Sequence, residues 1–119
     1  SGQMRLVIQT SAEARPVGVI DLYDLNFKHG YAAVGILIAA DADKGKGYAS
    51  EALHLFCSYC KEILELRNLY CQIHGDNQAS VSLFEKAGFE HAGTRKNWLR
   101  FKNEYFDELT YQLCLKSKN

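Results

Sequence analysis

The densest chemical signal in the sequence is the run Asp43-Lys44-Gly45-Lys46-Gly47-Tyr48-Ala49, two glycines set among lysines where an apolar stretch gives way to a helical period. The first turn of a helix offers unpaired backbone N–H groups and the positive end of the helix dipole. Gly45 and Gly47 let that backbone come within hydrogen-bonding distance of an anion, because no Cβ intervenes, and Lys44 and Lys46 add charge. Such a loop can cradle a diphosphate. The plain alternative is a solvated, inert glycine-rich turn before a helix. A Walker loop is excluded, since no Gly-Lys-Ser/Thr is present. A dinucleotide fingerprint would need glycine where Ser50 stands, and a parallel crossover as well.

A second candidate is the lone Cys-x-x-Cys of Cys57 and Cys60, a spacing shared by redox pairs and half zinc sites. Both cysteines fall inside a long helical pattern, and no second Cys-x-x-Cys or His pair completes four ligands. They read as small apolar packing groups, and no metal is expected.

The elements that must hold the loop follow from hydrophobic period. Residues 4–10, 17–25 and 31–40 are β-branched or apolar runs joined by short polar links, the pattern of an antiparallel meander. From Lys46 to Leu66 the period changes: Ala49, Ala52, Leu53, Phe56, Tyr59, Cys60, Ile63 and Leu64 lie on one stripe of a helix. A short strand is expected over residues 69–74. A second helix over residues 78–86 follows, with Asp76-Asn77 supplying its N-cap and Gly88 a left-handed stop. Two strands, 90–101 and 105–115, close the chain around the link Lys102-Asn103-Glu104. The predicted order is β-β-β-α-β-α-β-β.

With 119 residues, 47% of them apolar and 24% charged, the chain suits one domain with a real core rather than a disordered segment. Fourteen basic side chains balance fourteen acidic ones, so net charge points neither to nucleic acid nor to an anionic membrane. No apolar run reaches the length that spans a bilayer and no signal peptide is visible, which makes a cytoplasmic protein the expectation. Position 1 is Ser rather than Met, and Met4 enters directly as a strand, so residues 1–119 read as a single, partial domain of something longer.

Two stretches carry a family resemblance. Val34-Gly35-Ile36-Leu37-Ile38, followed by Lys44-Gly45-Lys46-Gly47-Tyr48-Ala49-Ser50-Glu51-Ala52-Leu53, resembles the acetyl-CoA motif of the GNAT N-acetyltransferases, Arg/Gln-x-x-Gly-x-Gly/Ala. Asn77-Gln78-Ala79-Ser80-Val81-Ser82-Leu83-Phe84-Glu85-Lys86-Ala87-Gly88-Phe89 resembles the family's second cofactor motif, Asn-x-x-Ser-x-x-Leu-Tyr-Glu-Lys-x-Gly-Phe. Within the family the likeness is greatest to the branch acetylating ribosomal-protein N-termini and polyamines. The resemblance implies an α+β fold with a mixed, mostly antiparallel sheet, lacking the family's first strand and two helices. It implies acetyl transfer from acetyl-CoA to a primary amine by direct attack in a ternary complex. It also implies roles for individual residues. The loop Lys44, Gly45, Lys46, Gly47, Tyr48 and Ala49 would hold the pyrophosphate. Ile36, Leu37 and Ile38 would splay from residues 69–74 to admit the pantetheine arm, with freed N–H groups near Leu37 for the thioester oxygen. Asn77 would reach pantetheine, with Ser80, Phe84 and Lys86 near the cofactor.

Departures from the family limit the chemistry. Lys44 replaces Arg or Gln, keeping charge but losing the planar fork. Phe84 stands where many members have a proton-donating tyrosine, and it has no proton to give. Ser80, one turn earlier, is the substitute acid, and His74, an imidazole near the end of its strand, is the candidate base. A covalent acyl-enzyme through Cys71 is disfavoured, since no base is evident beside it. The missing elements should bare the edge strand at residues 4–10 and favour a homo-oligomer. The other readings are a non-catalytic acyl-CoA-binding module on the same fold and, more distantly, a nucleotide-binding domain.

Overall fold

In the computed structural model, which describes residues 2–115, the elements run β1 (Gly2–Gln9), β2 (Pro16–Asn26), β3 (Tyr31–Ile38), α1 (Tyr48–Glu62), β4 (Asn68–His74), α2 (Gln78–Lys86), β5 (Glu90–Phe101) and β6 (Glu104–Cys114). Their order is the expected one. They form one six-stranded sheet, β1-β2-β3-β4-β6-β5. Every neighbouring pair is antiparallel except β3 and β4. The exception arises because α1 carries the chain from the end of β3 back to the start of β4, a crossover that only parallel strands need.

Local chemistry sets most boundaries. The apolar run after Tyr31 leaves the sheet at Ile38, two residues short of the expected Ala40, and Asp41–Asp43 then makes a single 3-10 turn. Helix α1 starts at Tyr48 rather than Lys46, because Gly47 caps it in the left-handed region, at φ +84°. At its far end the helical stripe stops near Ile63, before Glu65 turns left-handed at φ +55°. Asn77 caps α2 by accepting the Ser80 amide at 3.1 Å. At the other end of α2, the Gly88 amide donates to Glu85 and the Phe89 amide to Phe84, both at 3.0 Å, closing a Schellman turn. Lys102 and Asn103, both at positive φ, make the two-residue hairpin between β5 and β6.

The core lies on one face of the sheet. Leu22, Val34, Leu69, Cys71 and Tyr111 meet Leu53, Phe56 and Cys60 of α1 and Phe84 of α2, all buried. Burying each large aliphatic or aromatic side chain stabilises by roughly 1.5–3 kcal/mol, so this face fixes both helices against the strands. The opposite face is polar: Arg5 holds Asp21, Tyr70 donates to Asp24, and Gln72 to Glu108.

Candidate functional site

The parallel pairing of β3 with β4 is short. It runs from Tyr31↔Asn68 to Ala33↔Tyr70 and then stops, so the last residues of β3 and β4 diverge and leave a gap in the sheet. Splaying at this point was expected, and the register accounts for it. On the helix side the gap widens into a cleft of about 440 Å³, walled by Ile36, Leu37 and Ile38, by the loop Asp43, Lys44, Gly45, Gly47, Tyr48, Ala49 and Ser50, and by Asn77, Ala79, Ser80 and Leu83. The two motifs, more than 20 residues apart in sequence, thus face each other across one cavity.

Backbone phase determines which amides point into it. The Ala39 amide donates to the Val17 carbonyl at 2.9 Å, and the register pairs Leu37 with Val19. Strand groups alternate sides, so Leu37 faces β2, and the amides of Ile36 and Ile38 face the gap. The Gly30 carbonyl, in phase with these, accepts from Arg67 and Asn68 at the start of β4. The freed donors are therefore those flanking Leu37, not its own. Gly18 secures this arrangement: a Cβ there would lie 2.2 Å from the Leu37 carbonyl oxygen, so only glycine fits. Sequence reasoning missed Gly18, whose need is visible only across the strand pair.

At the other end of the cleft, no side chain caps α1, and the amides of Tyr48, Ala49 and Ser50 precede the first intrahelical bond, from Glu51 to Gly47. Nothing lies within 4 Å of where a Cβ on Gly45 or Gly47 would project. This loop is an open cradle of donors. Its anchor is Asp43, 5% exposed, whose two carboxylate oxygens each accept from Arg15 at 3.1 Å. The Arg15 hydrogen bonds, aided by the charge of Arg15 and of Lys46, hold the Asp43 carboxyl below the usual carboxylate range. Its contribution is therefore complete above the unfolded pKa near ~4 and is lost as pH falls through the lower folded value. No motif spacing links residues 15 and 43.

The remaining candidates divide. Ser80 lines the cleft, half-buried. Lys44 lines it too, but its ammonium pairs with Asp41 at 3.0 Å on the surface. Lys46 and Lys86 are exposed and outside the cavity wall. Phe84, 3% exposed, packs edge-on against Phe89 with ring centroids 5.0 Å apart and belongs to the core rather than the cleft. His74 accepts the Asp76 amide on Nδ1 at 3.3 Å and lies 4.7 Å from the Phe106 ring. Its Nδ1 is thus shared with a backbone donor, and His74 is not among the residues that line the cleft. Burial pushes the Cys71 and Cys60 thiols up to about 12 and Cys57 to about 11, which leaves them inert as nucleophiles at neutral pH.

The anchor makes a testable demand. Arg15→Ala leaves a buried carboxylate uncompensated beside the anion cradle, and calorimetry is expected to show CoA binding about tenfold weaker. Adding Asp43→Asn removes that charge and should recover part of the loss. Equal CoA affinity in the wild-type chain and Arg15→Ala would refute the anchoring role.

Comparison with known proteins bears on the family and the fold. Residues 1–90 match the family described as Acetyltransferase (GNAT) domain. The chain is 29% identical over 93 residues to the spermidine N(1)-acetyltransferase of Vibrio cholerae, covering 78% of this chain and 53% of that protein. It is 29% identical over 113 residues to the spermidine N(1)-acetyltransferase of Escherichia coli K12, covering 95% and 58%. The crystal structure of spermidine N-acetyltransferase from Vibrio cholerae in complex with CoA and spermine superposes with a TM-score of 0.87 at 25% identity, over 95% of this chain and 66% of that one. The chain thus spans a little over half the length of the curated relatives it matches.

Proposed function

Since the chain belongs to the GNAT acetyltransferase family, we propose that it moves an acetyl group from acetyl-CoA to a primary amine, with a polyamine as the favoured acceptor. The observation that carries this reading is the continuity of the cleft. An uncapped helix N-terminus with two open glycines lies at one end, and a gap between splayed strands lies at the other. The first suits a diphosphate and the second a narrow acyl-bearing arm. The polyamine preference is drawn from the named activity of the relatives.

Acetyl-CoA supplies an activated acyl group, and the chain supplies placement. The amides of Tyr48, Ala49 and Ser50 grip the diphosphate. The amides of Ile36 and Ile38 stand ready for the acyl oxygen. Ser80 is the cleft side chain assigned to hydrogen-bond the sulfur end, in place of the hydroxyl that Phe84 lacks. No acyl-enzyme is required, and no metal is assigned a role. Among the described residues, no group of three or more His, Cys, Asp or Glu side chains is arranged to hold a metal ion. A cytoplasmic setting fits four free cysteines, and no helix of the described residues is long and apolar enough to cross a membrane. Strand β1 pairs on one side only and exposes Leu6 and Val7, which favours self-association.

The second reading, an acyl-CoA-binding module without turnover, is favoured by one feature. The ionisable side chains of the cleft wall, Asp43, Lys44 and Tyr48, all lie at the loop end, away from the gap. Calorimetry with CoA and thiol release with an amine panel separate the two. The transferase reading expects binding heat and turnover with spermidine. Binding without turnover on any amine favours the module, and no binding heat removes both.

A further inference from the structure

The pairing of β3 with β4 ends at Ala33↔Tyr70, and on the face of the sheet away from the helices the neighbouring strand holds a group with no assigned task. Ile20, Leu22, Val34 and Ile36 point to the helices, so Tyr23, Ala33, Gly35 and Leu37 point the other way. Tyr23 pairs with Ala33 but leans along β3. A Cβ on Gly35 would lie 3.8 Å from Tyr23 Cε1, so the ring rests over the glycine, directly beside the stretch where β3 has left β4. The missing side chain at position 35 leaves room for the ring on that side of β3.

The hydroxyl of Tyr23 differs from those of its neighbours. Tyr31 accepts from Asn26, Tyr70 donates to Asp24 and Tyr111 donates to Glu85, whereas the Tyr23 hydroxyl has no hydrogen-bond partner among the described residues. The nearby carboxylates are already engaged. Arg5 holds both oxygens of Asp21, at 2.7 and 3.0 Å, Tyr70 donates to Asp24, and Gln72 donates to Glu108 at 3.4 Å. Burial, then the Cys71 thiol and the carboxylates of Asp21, Glu108 and Asp24, push the Tyr23 phenol up, so it stays neutral at physiological pH. A neutral phenol oxygen in a negative potential accepts hydrogen bonds from cations.

We propose that Tyr23 is the positioning residue for the acceptor: its hydroxyl, carried over Gly35 on the face opposite the CoA cleft, accepts an N–H of a cationic amine. The proposal rests on the acetyl-transfer reading and deepens it, by assigning a specificity residue that neither motif contains.

Spermidine titrated into the CoA-saturated chain, with binding heat as the readout, tests it. Tyr23→Phe is expected to weaken spermidine binding about tenfold, as for the loss of one hydrogen bond to a charged partner, with CoA affinity unchanged. In turnover, KM for the amine rises by about that factor while kcat changes less than about twofold. Gly35→Val, whose branches occupy the place of the ring, is expected to reproduce the loss; thermal melts establish that both variants fold. Tyr23→Phe binding spermidine as tightly as the wild-type chain overturns the proposal, and so does a wild-type chain that binds CoA but not spermidine. A wild-type chain giving no heat with CoA sinks the acetyl-transfer reading instead.

Discussion

Gly47→Val is expected to lower CoA affinity by on the order of a hundredfold or more, with only a modest fall in melting temperature. Gly47 sits at φ +84° as the N-cap of α1 and meets nothing within 4 Å on the side where a Cβ would project. The substitution therefore creates no clash within the protein. It acts in two other ways. A β-branched residue in the left-handed region is strained by about 1–2 kcal/mol or more, so the backbone relaxes and re-aims the amides of Tyr48, Ala49 and Ser50. The side chain also enters the space in front of the helix, where an anion must lie. Hydrogen bonds to a charged group contribute about 1.5–3 kcal/mol each, and the loss of two accounts for the predicted fall. Gly47→Ala, with the strain but little of the bulk, should lie between. A valine variant that binds CoA within about threefold of the wild-type chain, judged against that hundredfold expectation, shows that the cradle is elsewhere.

That loop was readable because its signal is local: glycines, lysines and a change of period within a few residues. The same holds for α2, where Asn77, Ser80 and Gly88 occupy positions fixed by capping rules that need no knowledge of the rest of the fold. The sheet order was less legible, yet the crossover through α1 leaves β3 and β4 little alternative to parallel pairing. What escaped the sequence reading is whatever depends on phase or on long-range partners. Leu37 and Ile36 differ by one position, but only the ladder to β2 tells which amide faces the gap. Arg15 and Asp43 meet across 28 residues, and nothing in their spacing announces it. Tyr23 acquires its place from a glycine on the next strand. His74 is the residue type of a base, but the turn after β4 engages its Nδ1. In each case residue type suggested a capacity and tertiary contact decided its use.

Phe84 is the sharpest instance, and it supports the last prediction. Its motif position suggests a proton donor replaced by phenylalanine, whereas its 3% exposure and its edge-on contact with Phe89 make it core. Phe84→Ala is therefore expected to destabilise the chain by about 3–5 kcal/mol, the usual range for emptying a buried phenylalanine site. For a domain of this size that is a drop in melting temperature of roughly 10–25 °C. Phe84→Tyr is the more informative change. If the ring stays in place, its new hydroxyl is confined to the apolar interior of α2 and the sheet, at a cost of about 1–3 kcal/mol for an unpaired group, and amine acetylation does not speed up. Faster turnover in Phe84→Tyr at unchanged stability would place the ring tip in the cleft, and the leaving thiol would then have its acid at position 84 rather than at Ser80. Both quantities come from the same purified variant, so the packing role and the chemical role are separated in one comparison.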